Sequence, residues 1–253
     1  MFTLSKPVVA STKPTVILPL GLLFVPNDQL AIQKLMTFVG KENQDKISAF
    51  LKVASPFIDR LKKGEDEEKF DNEMVSLVES ELNTKITKEQ FNECWRARYN
   101  DKSIKKGLNL ITSESKEYAY DFYSGTNRKD AEEIIKLCEK NGIKFKVENG
   151  RLTEIQGVKI RDTFTEKVSK VELFIIIAKE KYKRGEREIN LIIASEDGQA
   201  IPVLKEELTK SNKLLMTTAE SMNIHAIKAD PKKEELDITS VLQQEKQTIT
   251  CKL

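Results

Sequence analysis

The sequence contains very little histidine and cysteine. Its 253 residues include one histidine, His225, and three cysteines, Cys94, Cys138 and Cys251. A single histidine leaves almost nothing from which to build a Ser-His-Asp or Cys-His relay or a multi-histidine metal site. The cysteines are odd in number and far apart, so they match neither a zinc-binding spacing nor a disulfide framework, and a reducing compartment is expected. Carboxylates, hydroxyls and lysines would have to carry any catalysis.

The neighbours of these residues indicate structural roles. His225 lies between the apolar Ile224 and Ala226. Cys138 is on the apolar face of a predicted helix, where a thiol is inert. Cys251 is expected to be exposed in the C-terminal tail, with no nearby group to activate it.

A large excess of one charge is also missing, and so is a long hydrophobic run. Lysine and arginine total 42 and the acidic residues 40, a net charge of +2, which argues against a nucleic-acid binder with a broad basic face. The longest strongly apolar stretch, Thr15–Asp28, is interrupted by Pro19 and Pro26 and is too short to span a bilayer. No small-residue cleavage site follows it. We therefore expect a globular protein of the cytoplasm without a membrane span.

The same apolar stretch predicts a central strand. Residues 16–18, Val-Ile-Leu, follow one another without polar alternation, which is typical of a strand buried on both faces. Pro19 lacks the N–H that an interior strand needs, so the strand should end there. A turn at Gly21 and an apolar loop or hairpin as far as Pro26 should follow. Ligands of open α/β sheets bind at the carboxyl ends of the strands, so the end of this strand is a candidate site.

Residues 29–106 predict helices with no intervening strand. Apolar residues recur there at helical spacing in several segments. Thr87 and Gln90 form a capping-box pattern at the start of a helix that contains Cys94 and Trp95. The block is a helical module inserted after the first strand.

From about residue 117 strands and helices alternate. The predicted elements up to residue 160 are a strand at Glu117–Tyr123, a helix from Arg128 closed by Gly142, a strand at Ile143–Val147 and a hairpin from Asn149-Gly150 to Ile160. The segment Val168–Tyr182 fits a helix, although Phe174–Ile177 also fits a strand. The later elements are a strand at Asn190–Ala194, a helix at about Ile201–Thr209, and short strands or turns at Leu214–Thr217 and Ile224–Ile227. Such alternation indicates a parallel sheet with helices on its faces.

The predicted architecture is therefore α/β, a Rossmann-like parallel sheet that carries an inserted all-helical cap. Residues 1–14 form a polar lead-in, 15–28 and 107–230 the α/β core, 29–106 the helical cap, and 231–253 a polar C-terminal tail. A last helix near Ser240–Lys246 is expected within the tail.

In this order and spacing the chain resembles the haloacid dehalogenase-like (HAD) hydrolase superfamily over residues 14–230. The matching segments are Val16–Phe24 for the first motif, Ile86–Trp95 for the last cap helix, Ser124 with Thr126 and Asn127 for the second motif, and Ile192–Ser195 for the fourth. The resemblance implies a HAD-like core, in which the family's catalytic members use an aspartate nucleophile that, in the phosphatases, also ligates Mg²⁺.

Several chemical positions of that family are changed in this chain. Pro19 stands at the nucleophile position and has no side-chain oxygen, which removes covalent catalysis by that route. Gly21 stands at the acid/base position and cannot transfer a proton. Ala194 and Ser195 stand where Mg²⁺ would require carboxylates. The resemblance therefore implies a degenerate member.

The third motif and the metal ligands leave alternatives open. Lys167 and Lys170 both lie near the third-motif position, but the proline that usually follows is missing. Glu196 and Asp197 would be displaced metal ligands only if their loop is shifted. The alternative is that Asp197 and the glycine after it form an ordinary turn.

Ser124, Thr126 and Asn127 are candidates for holding an anion. They follow a predicted strand and precede a helix, where hydroxyls and free N–H groups are available. The alternative is that Asn127 caps the helix that begins at Arg128, with Asp130 favouring its positive end.

Two further features also have two interpretations. The basic run Lys181–Arg187 would contact phosphates, or it is a solvated helix end whose cations lie near the negative end of the helix dipole. Trp95 faces a cleft, or it belongs to the core, as aromatic residues at helical spacing usually do.

The residues favour a catalytically inactive HAD-like pseudoenzyme that acts as a binding or regulatory scaffold. Its expected partner is a protein, or a small phosphorylated ligand, and neither a nucleic acid nor a cofactor. The alternative is a metal-dependent phosphatase with a relocated site that uses Asp28, Glu196 or Asp197 with Mg²⁺. The tail Lys232–Leu253 faintly resembles the C-terminal signals of exported bacterial effectors, which would place the protein in a host cell.

Overall fold

The computed structural model describes residues 13–62, 66–104, 118–194, 202, 206, 221–229, 241–243 and 247–252. The chain divides into two compact units. The first comprises Met1–Leu23, Lys105–Ser124 and Thr153–Leu253, and the second comprises Phe24–Ile104 and Gly125–Leu152. The helix that starts at Arg128 belongs to the second unit, whereas the predicted bounds place it in the α/β core.

Eight strands form one mixed sheet. They are β1 (Thr15–Pro19), β2 (Ala119–Ser124), β3 (Phe145–Glu148), β4 (Arg151–Ile155), β5 (Val158–Asp162), β6 (Glu188–Ala194), β7 (Ser221–Ala229) and β8 (Gln247–Lys252). Their order is β3-β4-β5-β2-β1-β6-β7-β8. The five strands from β5 to β7 in this order pair in parallel, while β4 and β8 pair antiparallel to their neighbours β5 and β7. The predicted α/β class with a Rossmann-like parallel sheet is confirmed.

Seven α-helices lie in the described residues. They are α1 (Asp28–Val39), α2 (Ile47–Lys62), α3 (Glu67–Leu82), α4 (Lys88–Ala97), α5 (Arg128–Lys140), α6 (Thr163–Glu166) and α7 (Lys170–Lys183). Short 3₁₀ helices lie at Leu20–Leu22, Lys41–Lys46 and Asp101–Ser103. The first five α-helices belong to the second unit and the last two to the first unit. No described helix has both the length and the apolar composition needed to cross a membrane.

The predicted central strand is β1, and all five of its residues are buried. It pairs with β2 along its whole length, from Thr15 opposite Ala119 to Pro19 opposite Tyr123. Its pairing with β6 on the other side stops at Ile17. The strand ends at Pro19 because proline has no N–H to donate, and the chain turns immediately into the 3₁₀ helix that contains Gly21.

The segment Val168–Tyr182 is a helix, which settles the alternative that the sequence left open. Ser169 and Glu172 form a capping box at its start, and α7 continues to Lys183. Phe174 packs against Tyr123 of β2 with ring centroids 4.7 Å apart and an edge-to-face angle of 82°. One apolar stripe of α7 thus covers one face of the sheet and forms the core of the first unit.

The second unit has its own core, built around three aromatic rings. Phe70 of α3 lies 5.5 Å from Trp95 and 5.9 Å from Phe91, both of α4, measured between ring centroids. Apolar residues of α1 and α2 complete the cluster. Trp95 is a core residue, with 8% of its surface exposed. These residues form the apolar core of the second unit.

The turn Asn149-Gly150 between β3 and β4 confirms the predicted hairpin. Both residues have positive φ angles, 52° and 74°, as the favoured two-residue hairpin turn requires. Asparagine and glycine adopt this conformation at low cost.

In the basic run Lys181–Arg187, the first residue does not fit the interpretation of a solvated helix end. The Lys181 side chain is 10% exposed, and its ammonium lies 2.7 Å from the Asp121 carboxylate and 3.6 Å from that of Glu186. The hydroxyl of Thr15 donates a hydrogen bond to Glu186 at 2.5 Å. Lys181 is therefore the centre of a buried ionic cluster, whereas Lys183, Arg184 and Arg187 are exposed.

The end of the chain also differs from the predicted polar tail. Residues 247–252 form β8, which pairs antiparallel with β7 from Ala226 opposite Gln247 to Ser221 opposite Lys252. Cys251 is thus a strand residue opposite Met222. In the expected last helix, only Val241 and Leu242 are described as helical, and both are buried.

Several predictions fall outside the described residues. They concern the lead-in up to residue 12, most of the helix at Ile201–Thr209, and the segments Leu214–Thr217 and Ser195–Asp197.

Candidate functional site

The carboxyl ends of the parallel strands meet at one edge of the sheet in the first unit. Pro19 ends β1, Ser124 ends β2, Asp162 ends β5 and Ala194 ends β6. Ser124 and Asp162 lie opposite each other in the β2–β5 register, and Pro19 lies next to them opposite Tyr123. Open α/β sheets bind their ligands at this edge.

Pro19 and Gly21 differ in solvent exposure. Pro19 is buried within β1. Gly21 is exposed, and a Cβ atom built on it would meet no heavy atom within 4 Å. Its φ angle is not in the left-handed region, so the backbone does not require glycine. A Cβ atom would therefore fit at position 21, and glycine offers no group that could transfer a proton there.

Asp162 is a buried carboxylate at this edge that sequence reasoning missed. Its Oδ1 accepts hydrogen bonds from the backbone N–H groups of Phe164 at 2.8 Å and Thr165 at 2.9 Å. These contacts cap α6 and satisfy two of the N–H groups that a helix start leaves without partners. The available signal was an acidic residue directly after the alternating pattern of β5 and before Thr163.

The two candidate third-motif lysines lie on either side of the α6–α7 connection. Lys167 is exposed and ends α6 with a φ of 54°, and Lys170 is the first residue of α7. Both lysines thus follow β5 in the chain, since α6 begins directly after that strand.

An arginine clamp holds this connection. The Arg161 guanidinium donates to both carboxylate oxygens of Glu166, one of them at 2.8 Å, and to Glu180 of α7 at 2.9 Å. Hydrogen bonding to the guanidinium lowers the pKa of the Glu166 carboxyl. The same contacts raise the pKa of Arg161. Bidentate pairs of this kind fix geometry as well as charge.

The clamp predicts an acid-dependent loss of stability. The pKa of Glu166 is lower in the folded state, so its contribution is present at neutral pH and is lost as the pH falls through that lowered value. We expect Glu166→Gln to lower the free energy of unfolding by roughly 1 kcal/mol at pH 7 and to flatten its decrease below pH 4.5, the ordinary value. Urea unfolding followed by circular dichroism at several pH values measures both effects.

The control is Glu139→Gln, which removes an exposed carboxylate of α5. It should leave the acid-limb slope of the parent unchanged. An acid limb in Glu166→Gln as steep as that of the parent would contradict the clamp.

The metal-ligand candidates are not assembled in the part of the chain that the structure describes. Glu196 and Asp197 lie outside the described residues, and Ala194 is the last described residue of β6. Across the described ranges no three His, Cys, Asp or Glu side chains converge to hold a metal ion.

Thr126 and Asn127 lie in the second unit, where Asn127 caps α5. Its Oδ1 accepts from the Asp130 backbone N–H at 2.9 Å, and its Nδ2 donates to the Asp130 carboxylate at 2.9 Å. The capping alternative therefore describes Asn127. The Thr126 carbonyl accepts a hydrogen bond from Arg151 at 3.0 Å.

Asp130 joins α5 to α4 through a buried network. Its Oδ1 accepts from the Trp95 indole N–H at 2.9 Å and from Arg98 at 3.0 Å. The Arg98 guanidinium also donates to Asp28 at 2.8 Å and lies 4.3 Å from the centre of the Trp95 ring. Burial, followed by the Asp130 charge, raises the pKa of Tyr99. Asp28, a candidate residue of the alternative active site, lies at the start of α1 and is thus paired with Arg98.

A polar cleft of about 370 Å³ lies in the second unit between α3, α4 and α5. On its floor the Lys129 ammonium donates to the carboxylate of Asp71 and to the side-chain oxygen of Asn92. The cleft is lined by Glu67, Glu68, Asp71, Lys88, Asn92, Trp95, Arg96, Lys129, Glu132, Glu133 and Lys136. Trp95 therefore both belongs to the core and lines a cleft.

Cys94 and Cys138 are buried thiols. Burial raises the pKa of the Cys94 thiol to about 11 and that of Cys138 to about 12, which favours the protonated, unreactive form. The His225 ring lies 3.0 Å, Nδ1 to Oγ1, from Thr248 of β8.

Comparison with known proteins gives a fold match and no sequence match. No family model matches the chain, and neither does any curated protein. A HAD family enzyme of Bacteroides thetaiotaomicron aligns with a TM-score of 0.52 at 14% identity, covering 92% of this chain and 100% of that chain. A predicted HAD-like family hydrolase of Porphyromonas gingivalis aligns with a TM-score of 0.51 at 15% identity, covering 93% and 100%. The fold is HAD-like.

Three of the predicted motif residues end neighbouring strands of the sheet, and a fourth starts a helix. Pro19 ends the central strand and Ser124 the strand beside it. Asn127 starts the helix that follows, and Ala194 ends the strand on the other side of β1.

Sequence reasoning missed the charged networks of this HAD-like chain. Arg98 and Lys129 carried no motif, and Asp130 was considered only for its effect on the helix dipole. The available signal was the pair Lys129 and Asp130 in the first turn of α5, whose partners Asn92 and Trp95 lie on α4. A charge pattern alone does not say which opposite charge it will meet.

Proposed function

We propose that this chain is a HAD-like pseudoenzyme, a scaffold that binds a protein partner and does not cleave phosphate esters. The observation that carries the proposal is Pro19 at the carboxyl end of β1. Its ring nitrogen belongs to an amide and its side chain has only carbon atoms, so it offers no lone pair to phosphorus. Pro19 is the last residue of β1 and lies opposite Tyr123 of β2, so no further β1 residue follows it at this end of the strand.

The neighbouring positions support the same conclusion. Gly21 carries no side chain, so it has no group that could transfer a proton. Ala194 at the end of β6 contributes a methyl group where a metal ligand would be needed. The family's reactive side-chain groups are missing at these three positions while the fold is kept, which favours a binding role.

Mg²⁺ does not fit the described residues of this edge. The ion prefers six oxygen ligands in octahedral geometry, usually including one or two carboxylates. Pro19 and Ala194 have no side-chain oxygen, and the Asp162 carboxylate already accepts two backbone N–H groups. A magnesium-dependent mechanism at this edge is therefore not part of the proposal.

The full-length protein should show no turnover of p-nitrophenyl phosphate above the buffer rate, with or without millimolar Mg²⁺. Calorimetric titration with Mg²⁺ should show no saturable heat. The physical reason is the missing nucleophile, whose absence in enzymes of this type removes the covalent step itself. Circular dichroism on the same sample verifies that the protein is folded.

Magnesium-dependent turnover that Glu196→Ala or Asp197→Ala abolishes would overturn the proposal and establish the relocated phosphatase site instead. Asp28→Ala is the third variant of that series. Arg98 pairs with Asp28 in the structure, so this variant also requires a stability measurement before its activity is interpreted.

The proposal places the protein in the cytoplasm, or in a host cell if the tail acts as an export signal. Deleting the last twenty or so residues would test that signal but would also remove β8 and expose the edge of β7. Substitution of the charged residues between Lys232 and Glu235 in the full chain is therefore the appropriate export test. Export that is unaffected by these substitutions would remove the tail signal from the proposal.

A further inference from the structure

Strand β3 is an outer strand of the sheet, and among the described residues no strand pairs with its open edge. Three of its four residues, Lys146, Val147 and Glu148, are exposed. Val147 is a large apolar side chain with 38% of its surface exposed. An outer strand presents backbone N–H and C=O groups along its open edge, which is where a further strand can be added.

The turn after β3 determines which residues point their backbone groups towards this edge. Asn149 and Gly150 form a two-residue turn with positive φ angles, so Glu148 and Arg151 lie opposite each other as the hydrogen-bonded pair next to the turn. Hydrogen-bonded and non-hydrogen-bonded residues alternate along an antiparallel strand. The N–H and C=O of Glu148 therefore point towards β4, and those of Val147 point towards the open edge.

The charges of β3 are complementary to those of a second copy of the same strand. Lys146 and Glu148 lie one position before and one position after Val147, on the same face of the strand. When two such strands run antiparallel about a two-fold axis at Val147, each lysine lies opposite the glutamate of the other copy. Opposite charges in this position stabilise a strand pair, and like charges destabilise it.

The neighbouring registers lack this match. A shift by one residue sets Val147 opposite Lys146 or Glu148, whose backbone groups point towards β4 and not towards the open edge. A shift by two residues sets Lys146 opposite Lys146, or Glu148 opposite Glu148, which are repulsive pairs. Only the register centred on Val147 joins outward-pointing backbone groups and opposite charges at the same time.

We infer that two copies of this chain associate through β3, which pairs antiparallel with β3 of the second copy about a two-fold axis at Val147. The two Val147 residues exchange backbone hydrogen bonds, and Lys146 and Glu148 form one ion pair on each side of them. Charged residues on an outer strand usually discourage such pairing, whereas here their order favours one partner, the same strand of another copy. A two-fold axis joins identical surfaces, so the assembly closes at two copies.

The dimer is expected to be weak and reversible, because a four-residue strand offers a small interface. Sedimentation of the full-length protein from about 10 to about 300 µM should show a weight-average mass that rises with concentration, by mass action. The mass should start at the monomer value of 28.9 kDa and approach twice that value.

Charge reversal tests the register. Lys146→Glu should weaken the association at least about tenfold, because it sets like charges opposite each other in both ion pairs. Glu148→Lys should do the same for the same reason. An equimolar mixture of the two variants should associate as strongly as the parent protein, because a strand with two glutamates then meets a strand with two lysines.

The matched controls are Lys52→Glu and Glu81→Lys, which make the same changes of charge at exposed positions of α2 and α3. Each should associate as the parent does. Circular dichroism verifies that every variant is folded. The mixture uses the same two samples that fail to associate alone, so recovery in it shows that both variants keep an intact β3 edge.

Three results would overturn the inference. The first is a monomer at every concentration, which would leave the edge to an extended segment of a different protein. The second is association of either β3 variant as strong as that of the parent, and the third is a mixture that associates no more than its components. The inference does not depend on the proposed function, since none of these measurements concerns phosphate-ester turnover.

Discussion

Lys181→Met is expected to lower the free energy of unfolding by roughly 3–5 kcal/mol, as is typical when one partner of a buried ion pair is removed. The Glu186 side chain is 9% exposed, and after the substitution only the hydroxyl of Thr15 would remain to stabilise its charge. Asp121 would also lose its cation. The methionine has nearly the same length, so the loss reports the charge rather than the volume. Urea unfolding followed by circular dichroism measures it.

The matched control is Lys183→Met, two residues further along the same helix, where the side chain is exposed. A surface substitution of this kind should change stability by no more than about 0.5 kcal/mol. The double variant Lys181→Met/Glu186→Gln should recover part of the loss, since it removes the uncompensated charge. A loss below about 1 kcal/mol in Lys181→Met, or no recovery in the double variant, would contradict the buried cluster.

Phe70→Ala is expected to lower the free energy of unfolding by about 3–5 kcal/mol, the usual range for removing a fully enclosed ring. Phe70 has no exposed surface and makes ring contacts with both Phe91 and Trp95. Its removal leaves a cavity in the middle of the second unit's core. The substitution should also change Trp95 emission in the folded state, because Phe70 meets the indole at 81°. Urea unfolding followed by Trp95 fluorescence therefore measures both effects.

Leu51→Ala is the comparison on the surface of the same unit, since Leu51 of α2 is 37% exposed. It should cost about 0.5 kcal/mol or less, because a surface position leaves no cavity. Equal losses in the two variants would show that Phe70 does not centre the core.

Much of the fold followed from patterns that act locally. The uninterrupted apolar residues of β1 are typical of a strand that is buried on both faces of a sheet, and Pro19 ends the strand because proline has no N–H. The Asn149-Gly150 turn and the apolar face of α5 are equally local signals. Parallel pairing then follows from the alternation of strands and helices, because each crossover returns the chain in the same direction.

Local patterns failed where a residue's partner is distant in the chain. Lys181 meets Asp121 of β2 only because α7 packs on the sheet. β8 was predicted as tail because an edge strand with polar residues needs a neighbour before its pairing can be recognised. For the segment Val168–Tyr182, the capping box at Ser169 marks a helix start that the apolar residues alone did not distinguish from a strand.

The candidate site divides in the same way. The sequence alone determines that Pro19 and Gly21 lack the groups for nucleophilic and acid/base chemistry, because no fold can supply an oxygen to a side chain that has none. Only the tertiary structure decided that Asp130 holds Trp95 and Arg98, and that α3, α4 and α5 enclose a polar cleft. The Asp130 contacts join residues 35 and 32 positions apart, and the distance between such residues is set by packing rather than by sequence spacing.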